Sequence, residues 1–248
     1  MSAILETNVQ NPLPWDKIWN DKLEEYLQAV PRTGIFIQQM LPLQAADRIL
    51  EIACGSSRDS IYLAKKGYRL TATDADEKTI SYLQQRFSSS GLDYSAEDAL
   101  QLNFSDNSFD LAFHNGLFVY YHDDSLIKKM LLEQARVAKR YLLIIVHNQL
   151  NKKLVLRFQK LAATQPLYDL RFFKPQDMEA MVRQAGISYK SLKILKFGGI
   201  ADGLYKKKLK KTIPNVFFPW REHLVPNLYQ WQRWKATERI ACLIELMK

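Results

Sequence analysis

Short apolar runs alternate with amphipathic stretches between residues 48 and 147, and this alternation constrains the fold more than any other feature of the sequence. Short runs rich in Ile, Leu, Val and Phe are typical of strands buried on both faces, and the stretches between them have helical spacing. Strands that alternate with helices predict a parallel sheet covered by helices on both faces. The predicted strands are Arg48–Ala53, Tyr68–Thr73, Asp93–Ala96, Phe109–His114 and Tyr141–His147, and the predicted helices are Ser57–Lys66, Glu77–Ser88 and Asp123–Lys139.

Both flanks of this core also have regular patterns. An amphipathic helix is predicted between Pro14 and Pro31, and a short helix around 34–41 ends at Pro42. Beyond His147 the patterns predict two helices, a strand, an irregular basic and aromatic stretch and a last strand, at 150–162, 175–185, Tyr189–Phe197, 198–237 and Arg239–Met247.

Charge and cysteine content indicate which part of the chain is basic and which cellular compartment is expected. The 248 residues carry a net charge of +9, but residues 151–248 hold 20 Lys and Arg against 7 Asp and Glu, so the excess belongs to the C-terminal part. Cys54 and Cys242 are too few for a disulfide framework or a zinc site, which favours a reducing compartment. No run approaches the roughly 18 apolar residues of a spanning helix, and the N-terminus lacks a secretory signal pattern. A cytoplasmic protein without stable membrane insertion is expected.

The turn after the first predicted strand has the form of a cofactor-binding turn. Glu51 lies at the end of the strand, Gly55 opens the turn, and Ala53 and Ser57 are small enough for a ligand to approach the backbone. Asp74 ends the second strand, where a carboxylate can bind ribose hydroxyls. An acidic residue beside the turn would repel the pyrophosphate of NAD, so a cationic ligand that has a ribose but no phosphate fits better.

Further along, Asp98 and Ala99 follow the third strand, and "SFDLAFHNG" forms the fourth. Together with Glu51, Gly55 and Asp74, these residues resemble the class I S-adenosylmethionine-dependent methyltransferases, particularly their small-molecule, type 11-like branch. The resemblance runs from Arg48 to His147. It implies a Rossmann-like α/β fold with a seven-stranded, mostly parallel sheet, helices on both faces and an antiparallel last strand. The family pattern E/D-x-G-x-G-x-G has Ala53 and Ser57 here in place of two glycines.

The resemblance also implies roles for individual residues in binding S-adenosylmethionine. Glu51 would reach the methionine ammonium, and Ala53 and Gly55 would pass beneath the methionine moiety. Asp74 would bind the ribose, and Ala75, Asp98 and Ala99 would surround the adenine. His114 and Asn115 would meet the methionine end through their backbone groups. Arg32 or Arg58 could pair with the methionine carboxylate, or either could be an ordinary surface or helix-end cation.

Methyl transfer from a sulfonium needs a general base only when the acceptor must lose a proton. The candidates lie at the ends of the fourth and fifth strands, and His122 and His147 lead a set that also includes His114, Tyr120 and Tyr121. His122-Asp123-Asp124 is a conceivable metal site, but adjacent residues on a helix cannot all face one ion, and a helix start capped by an Asp is the simpler interpretation. No metal is therefore expected.

The chain is predicted to form a single methyltransferase domain, residues 1–248. Residues 1–44 form a helical cap, 45–147 the cofactor-binding core, and 148–170 and 198–237 insertions that cover the substrate. The expected substrate is a small or medium-sized metabolite, with anionic metabolites among the candidates, methylated on oxygen or nitrogen, with S-adenosylhomocysteine as the by-product. Two alternatives are an RNA methyltransferase that uses the basic region and a non-catalytic S-adenosylmethionine-binding module. "HNGL" lacks the motif usual for base methylation, so nucleic acid is the less favoured partner.

Overall fold

The computed structural model describes residues 15–87, 92–205 and 218–248. Its strands and helices follow the predicted order. The strands are β1 (Arg48–Ile52), β2 (Arg69–Asp74), β3 (Leu92–Ala96), β4 (Phe109–Asn115), β5 (Ala138–His147), β6 (Tyr189–Gly199) and β7 (Thr237–Leu246). The helices are α1 (Trp15–Gln28), α2 (Arg32–Met40), α3 (Arg58–Lys65), α4 (Glu77–Phe87), α5 (Asp124–Val137), α6 (Lys152–Ala162), α7 (Pro175–Ala185) and α8 (Phe218–Trp231).

The seven strands form one sheet in the order β3-β2-β1-β4-β5-β7-β6. Strands β1 to β5 pair in parallel, and β7 runs antiparallel to both of its neighbours, β5 and β6. The predicted seven-stranded sheet with an antiparallel last strand is therefore confirmed. The strand order reverses between β1 and β4, and open α/β sheets bind ligands at the carboxyl ends of the strands beside such a reversal.

Two apolar layers cover the two faces of the sheet. One contains the buried side chains of α5 and α7, including Met130 and Val182, packed on alternate strand residues such as Ile144. The other contains buried side chains of α2, α3, α4 and α8, including Phe36, packed on the intervening strand residues such as Phe113. Because both faces are covered, the central strands are apolar without alternation, which is the pattern that the sequence shows.

The prediction that residues 198–237 are irregular is wrong for α8. This helix packs against α2 and β6, and Val225 and Tyr229 are fully buried in the second apolar layer. Pro226 lies inside the helix. A proline cannot donate the backbone hydrogen bond of a helix interior, so the sequence argued against a helix that tertiary packing nevertheless stabilises.

Several predicted features lie outside the described residues: positions 1–14 of the helical cap, Ser88 at the predicted end of α4, and the lysine run from Lys206 to Lys211. Within the described part, no helix is long and apolar enough to cross a membrane.

We expect Tyr229→Ala to destabilise the protein by about 3–5 kcal/mol, because it removes a fully buried aromatic ring from the second layer. It also leaves the Asp202 carboxylate without the hydroxyl that donates to it at 2.5 Å. The free energy of unfolding in urea measures the effect. Trp231→Ala on the same helix is the matched control, since Trp231 is 88% exposed, and should change stability by less than about 0.5 kcal/mol. Equal effects would show that α8 does not pack as described.

Candidate functional site

The turn between β1 and α3 has an unusual backbone. Ala53, Gly55 and Ser57 have φ angles of 53°, 52° and 55°, all in the left-handed region that favours glycine. These are the three positions at which the family pattern places glycines. Ala53 and Ser57 therefore adopt a backbone conformation that favours glycine. Each of them lowers the free energy of unfolding by on the order of 1 kcal/mol.

Asp74 at the end of β2 holds this turn against the sheet. One oxygen of its carboxylate accepts from the Gly55 amide at 2.9 Å, and the other accepts from the Asp76 amide at 3.1 Å. Burial raises the pKa of Asp74, while these backbone donors oppose the shift. The sequence pattern predicts that Gly55 and Asp74 belong to one site, and in the structure the two residues are in direct contact.

Glu51 is buried at the end of β1, with 4% of its surface exposed. Its carboxylate accepts from Ser60 in the first turn of α3, from the amide at 3.2 Å and from the hydroxyl at 2.5 Å. Burial raises the pKa of Glu51, and the nearby Asp59 carboxylate raises it further. Two acidic groups so close together favour a cation between the turn and the helix.

Asp98 lies beyond the end of β3, where its carboxylate accepts from the Leu100 amide at 2.8 Å. Ala75 is exposed and Ala99 is buried. The pKa of Tyr121 is raised first by burial and then by the Asp98 and Asp74 carboxylates, so these three side chains lie near one another beside the ends of β2 and β3. From the sequence, Tyr121 was a candidate only for the base.

His114, at the end of β4, is fully buried. Its Nδ1 accepts from the Leu117 amide at 3.3 Å, and its ring lies 4.3 Å from that of Phe118. Burial lowers the pKa of His114 to about 3, so the ring is neutral at physiological pH and supports the loop after β4. The next residue, Asn115, donates to the Thr33 hydroxyl at 2.8 Å and accepts from Arg239.

The two leading base candidates occupy different environments. His122 is exposed just before α5, where Asp123 caps the helix by accepting from the Ser125 amide at 2.7 Å, as the alternative interpretation predicted. His147 is buried at the end of β5, and its pKa is held well below the usual range by burial and by Arg239 and Arg32. Of the two histidines, His147 alone is buried, and it lies at the carboxyl end of β5.

The two arginine candidates differ in their partners. Arg32 forms ion pairs with Asp202 and, at 3.0 Å, with Glu238. Arg58 lies 3.6 Å from the Asp59 carboxylate, and its buried Nε lacks a hydrogen-bond partner among the described residues. Arg58 thus has fewer ion-pair partners among the described residues than Arg32 has.

Four further residues contact the ends of β4 and β5, and nothing in the sequence singled them out as site residues. They are Thr33, Phe158, Phe172 and Arg239, and each reaches the site only through contacts with distant segments. Across the described ranges, no group of three His, Cys, Asp or Glu side chains is arranged to hold a metal ion.

We expect Ala53→Gly and Ser57→Gly each to stabilise the protein by up to about 1 kcal/mol, because glycine adopts the left-handed backbone without a Cβ clash. Ala64→Gly within α3 is the matched control and should destabilise by about 1 kcal/mol. Urea unfolding of the three variants measures the differences. Destabilisation by Ala53→Gly as large as in the control would contradict the left-handed turn.

Comparisons with known proteins agree with this geometry. A family described as a methyltransferase domain matches residues 49–140. YqeM of Bacillus subtilis (strain 168) is 37% identical over 76 residues, which are 30% of this chain and 30% of that protein. The 27-O-demethylrifamycin SV methyltransferase of Amycolatopsis mediterranei (strain S699) is 30% identical over 98 residues, which are 38% of this chain and 36% of that protein. The chain spans about a third of the length of these relatives.

Solved structures share the fold over nearly the whole chain. A methyltransferase described as S-adenosylmethionine-dependent, from Archaeoglobus fulgidus, has a TM-score of 0.61 at 15% identity, over 92% of this chain and 99% of that one. The Haloferax volcanii protein solved in complex with the Trm112 methyltransferase activator has a TM-score of 0.66 at 16% identity, over 95% and 98%. Residues 49–140 therefore match a methyltransferase-domain family, within a chain that has the fold of S-adenosylmethionine-dependent methyltransferases.

Proposed function

We propose that the protein transfers a methyl group from S-adenosylmethionine to an oxygen or nitrogen atom of a small or medium-sized metabolite. The observation that carries the proposal is the left-handed turn at Ala53, Gly55 and Ser57, tied by the Gly55 amide to Asp74. Its residues are small enough for a ligand to approach the backbone closely, and the turn lies at the reversal of strand order.

The charges around the turn support a cationic cofactor. Glu51, Asp59 and Asp74 surround the turn and the start of α3, and burial raises the pKa of Glu51 and of Asp74. A pyrophosphate would be repelled there, whereas the ammonium and sulfonium of S-adenosylmethionine would relieve the repulsion among the carboxylates. Asp74 would also bind the ribose hydroxyls, and Asp98 the adenine, with Tyr121 over the space between them.

When bound, S-adenosylmethionine supplies an activated methyl group on a good leaving group. Glu51, Asp74 and Asp98 would hold it, and the acceptor that receives the methyl group would give up its proton to a neighbouring base. The protein's part is to align the two reactants and exclude water. His147 is neutral at physiological pH because of its lowered pKa, so it can accept a hydrogen bond from the acceptor and take its proton.

The segment after β5 fits the role of a cover for the acceptor. Helix α6 has an apolar stripe that includes Leu154 and Phe158, yet none of its described side chains is fully buried. Phe158 lies 5.0 Å from His147, ring centre to ring centre. A half-exposed apolar stripe beside the proposed proton acceptor is what a substrate would complete.

We expect the native protein to bind S-adenosylhomocysteine in isothermal calorimetry, and Asp74→Asn to weaken binding at least tenfold, because it removes a charge-assisted acceptor for the ribose hydroxyls. Asp93→Asn, an exposed residue of the neighbouring strand β3, is the matched control and should bind as the native protein does. No detectable binding by the native protein would overturn the proposed function.

Binding of S-adenosylmethionine near pH 7 should release protons. Glu51 has a raised pKa in the free protein, so part of it is protonated there, and a bound ammonium would lower that pKa and expel the proton. Calorimetry in buffers of different ionisation enthalpy measures the release. Glu51→Gln should abolish it, while Glu77→Gln, exposed in the first turn of α4, should not. A release that persists in Glu51→Gln would assign the titration to another group.

A further inference from the structure

Arg239 enters the crevice from the antiparallel strand β7. It pairs with His147 of β5 and with Phe197 of β6, and paired residues of antiparallel strands share one face of the sheet. Its guanidinium donates to the side-chain oxygen of Asn115, at the end of β4. Asn115 is itself oriented by the Thr33 hydroxyl, to which it donates. Arg239 is therefore held in place by a neutral partner.

Among the described residues, Arg239 has no carboxylate as an ion-pair partner. Within the described ranges, the ion pairs of this region belong to Arg32, which takes Asp202 and Glu238, and to Arg58, which lies near Asp59. None is formed by Arg239. Burial, Arg32 and Arg58 lower the pKa of Arg239 to about 10, against smaller opposing effects of Glu238 and Tyr120. Among the described residues, Arg32 and Arg58 take the carboxylates of this region, which leaves the half-buried Arg239 able to pair with an anionic ligand.

Aromatic rings adjoin His147, the strand partner of Arg239. The His147 ring lies 5.0 Å from Phe158 and 5.4 Å from Phe172. Tyr168 follows at 5.6 Å from Phe158, with its hydroxyl accepting from Lys22 at 3.3 Å. The rings are tilted or edge-on to one another, which is the usual geometry of aromatic contacts. A flat apolar body fits such a wall better than a sugar or a polar chain.

One polar atom in this wall has no hydrogen-bond partner among the described residues. His147 is 6% exposed, and its Nδ1 is buried without a hydrogen-bond partner among the described residues. A buried polar atom without a partner costs about 1–3 kcal/mol. A ligand that carries a polar atom beside its ring would satisfy it.

We propose that the methyl acceptor is an aromatic acid, whose anionic group pairs with Arg239 and whose ring lies against Phe158 and Phe172. The inference rests on the proposed function and specifies its substrate class. The site then has two halves. The acidic groups at the ends of β1, β2 and β3 face the cationic donor. Arg239 of β7, beside the ends of β4 and β5, faces the anionic acceptor. The anchored anionic group is distinct from the atom that is methylated, which lies elsewhere on the same molecule near His147.

The test compares acids with neutral isosteres on protein saturated with S-adenosylhomocysteine. The probes are 4-hydroxybenzoate, 3,4-dihydroxybenzoate and 4-hydroxyphenylacetate, each paired with its amide, and binding is measured by ligand-observed NMR titration. The native protein should bind at least one acid about tenfold or more tightly than its amide, which is the usual strength of a charge-assisted hydrogen bond.

Arg239→Gln should reduce this preference to about one, while S-adenosylhomocysteine affinity stays within twofold. The glutamine amide can still donate to Asn115, so the local contact is kept. Arg233→Gln is the matched control, since Arg233 is exposed and forms no ion pair within the described residues. Arg239→Lys retains the charge and should retain part of the preference, which keeps the test valid should Arg239→Gln fold poorly.

Three results would overturn the inference: no acid binds the native protein, acid and amide bind equally, or Arg239→Gln weakens S-adenosylhomocysteine instead of the acid. The last would assign Arg239 to the methionine carboxylate. Failure of the proposed function is distinguishable, because it would appear earlier as an absence of S-adenosylhomocysteine binding by the native protein.

Discussion

The hydrogen bond from the Gly55 amide to the Asp74 carboxylate joins the turn after β1 to the end of β2. It sets the path of a turn whose backbone is left-handed at three alternate positions. This segment leads directly into α3, and Ser60 at the start of α3 donates two hydrogen bonds to the Glu51 carboxylate. One short segment thus places the two carboxylates that the cofactor proposal needs.

Electrostatics divide the crevice at the carboxyl ends of the strands. On one side, burial raises the pKa of Glu51 and of Asp74, and the nearby Asp59 adds negative charge. On the other side, Arg239 is half-buried near Arg32 and Arg58, and its pKa is lowered. Among the described residues, none of Glu51, Asp74 and Arg239 forms an ion pair. Methyl transfer between a cationic donor and an anionic acceptor would supply a charge of opposite sign to each side.

Most of the secondary structure was predictable from local pattern, because apolar strands buried on both faces leave an unmistakable run in the sequence. The strands were located within a few residues, and the antiparallel last strand came from the family resemblance. Helix α8 was missed because Pro226 argues against a helix. Its stability comes from the burial of Val225 and Tyr229 against the sheet, which no local pattern could reveal.

The sequence by itself determined the residues of the proposed cofactor half of the site, because Glu51, Gly55, Asp74 and Asp98 occur at fixed places relative to consecutive strands of the core. Only the tertiary structure decided the residues of the proposed acceptor half. Asn115 and Arg239 are 124 residues apart in the chain, and Thr33 and Asn115 are 82 apart. They meet because β7 inserts between β5 and β6 and because α2 packs over the crevice. Contacts that depend on strand order and helix packing have no signature in local spacing. The proposed role of Arg239 could therefore be recognised only from the assembled sheet.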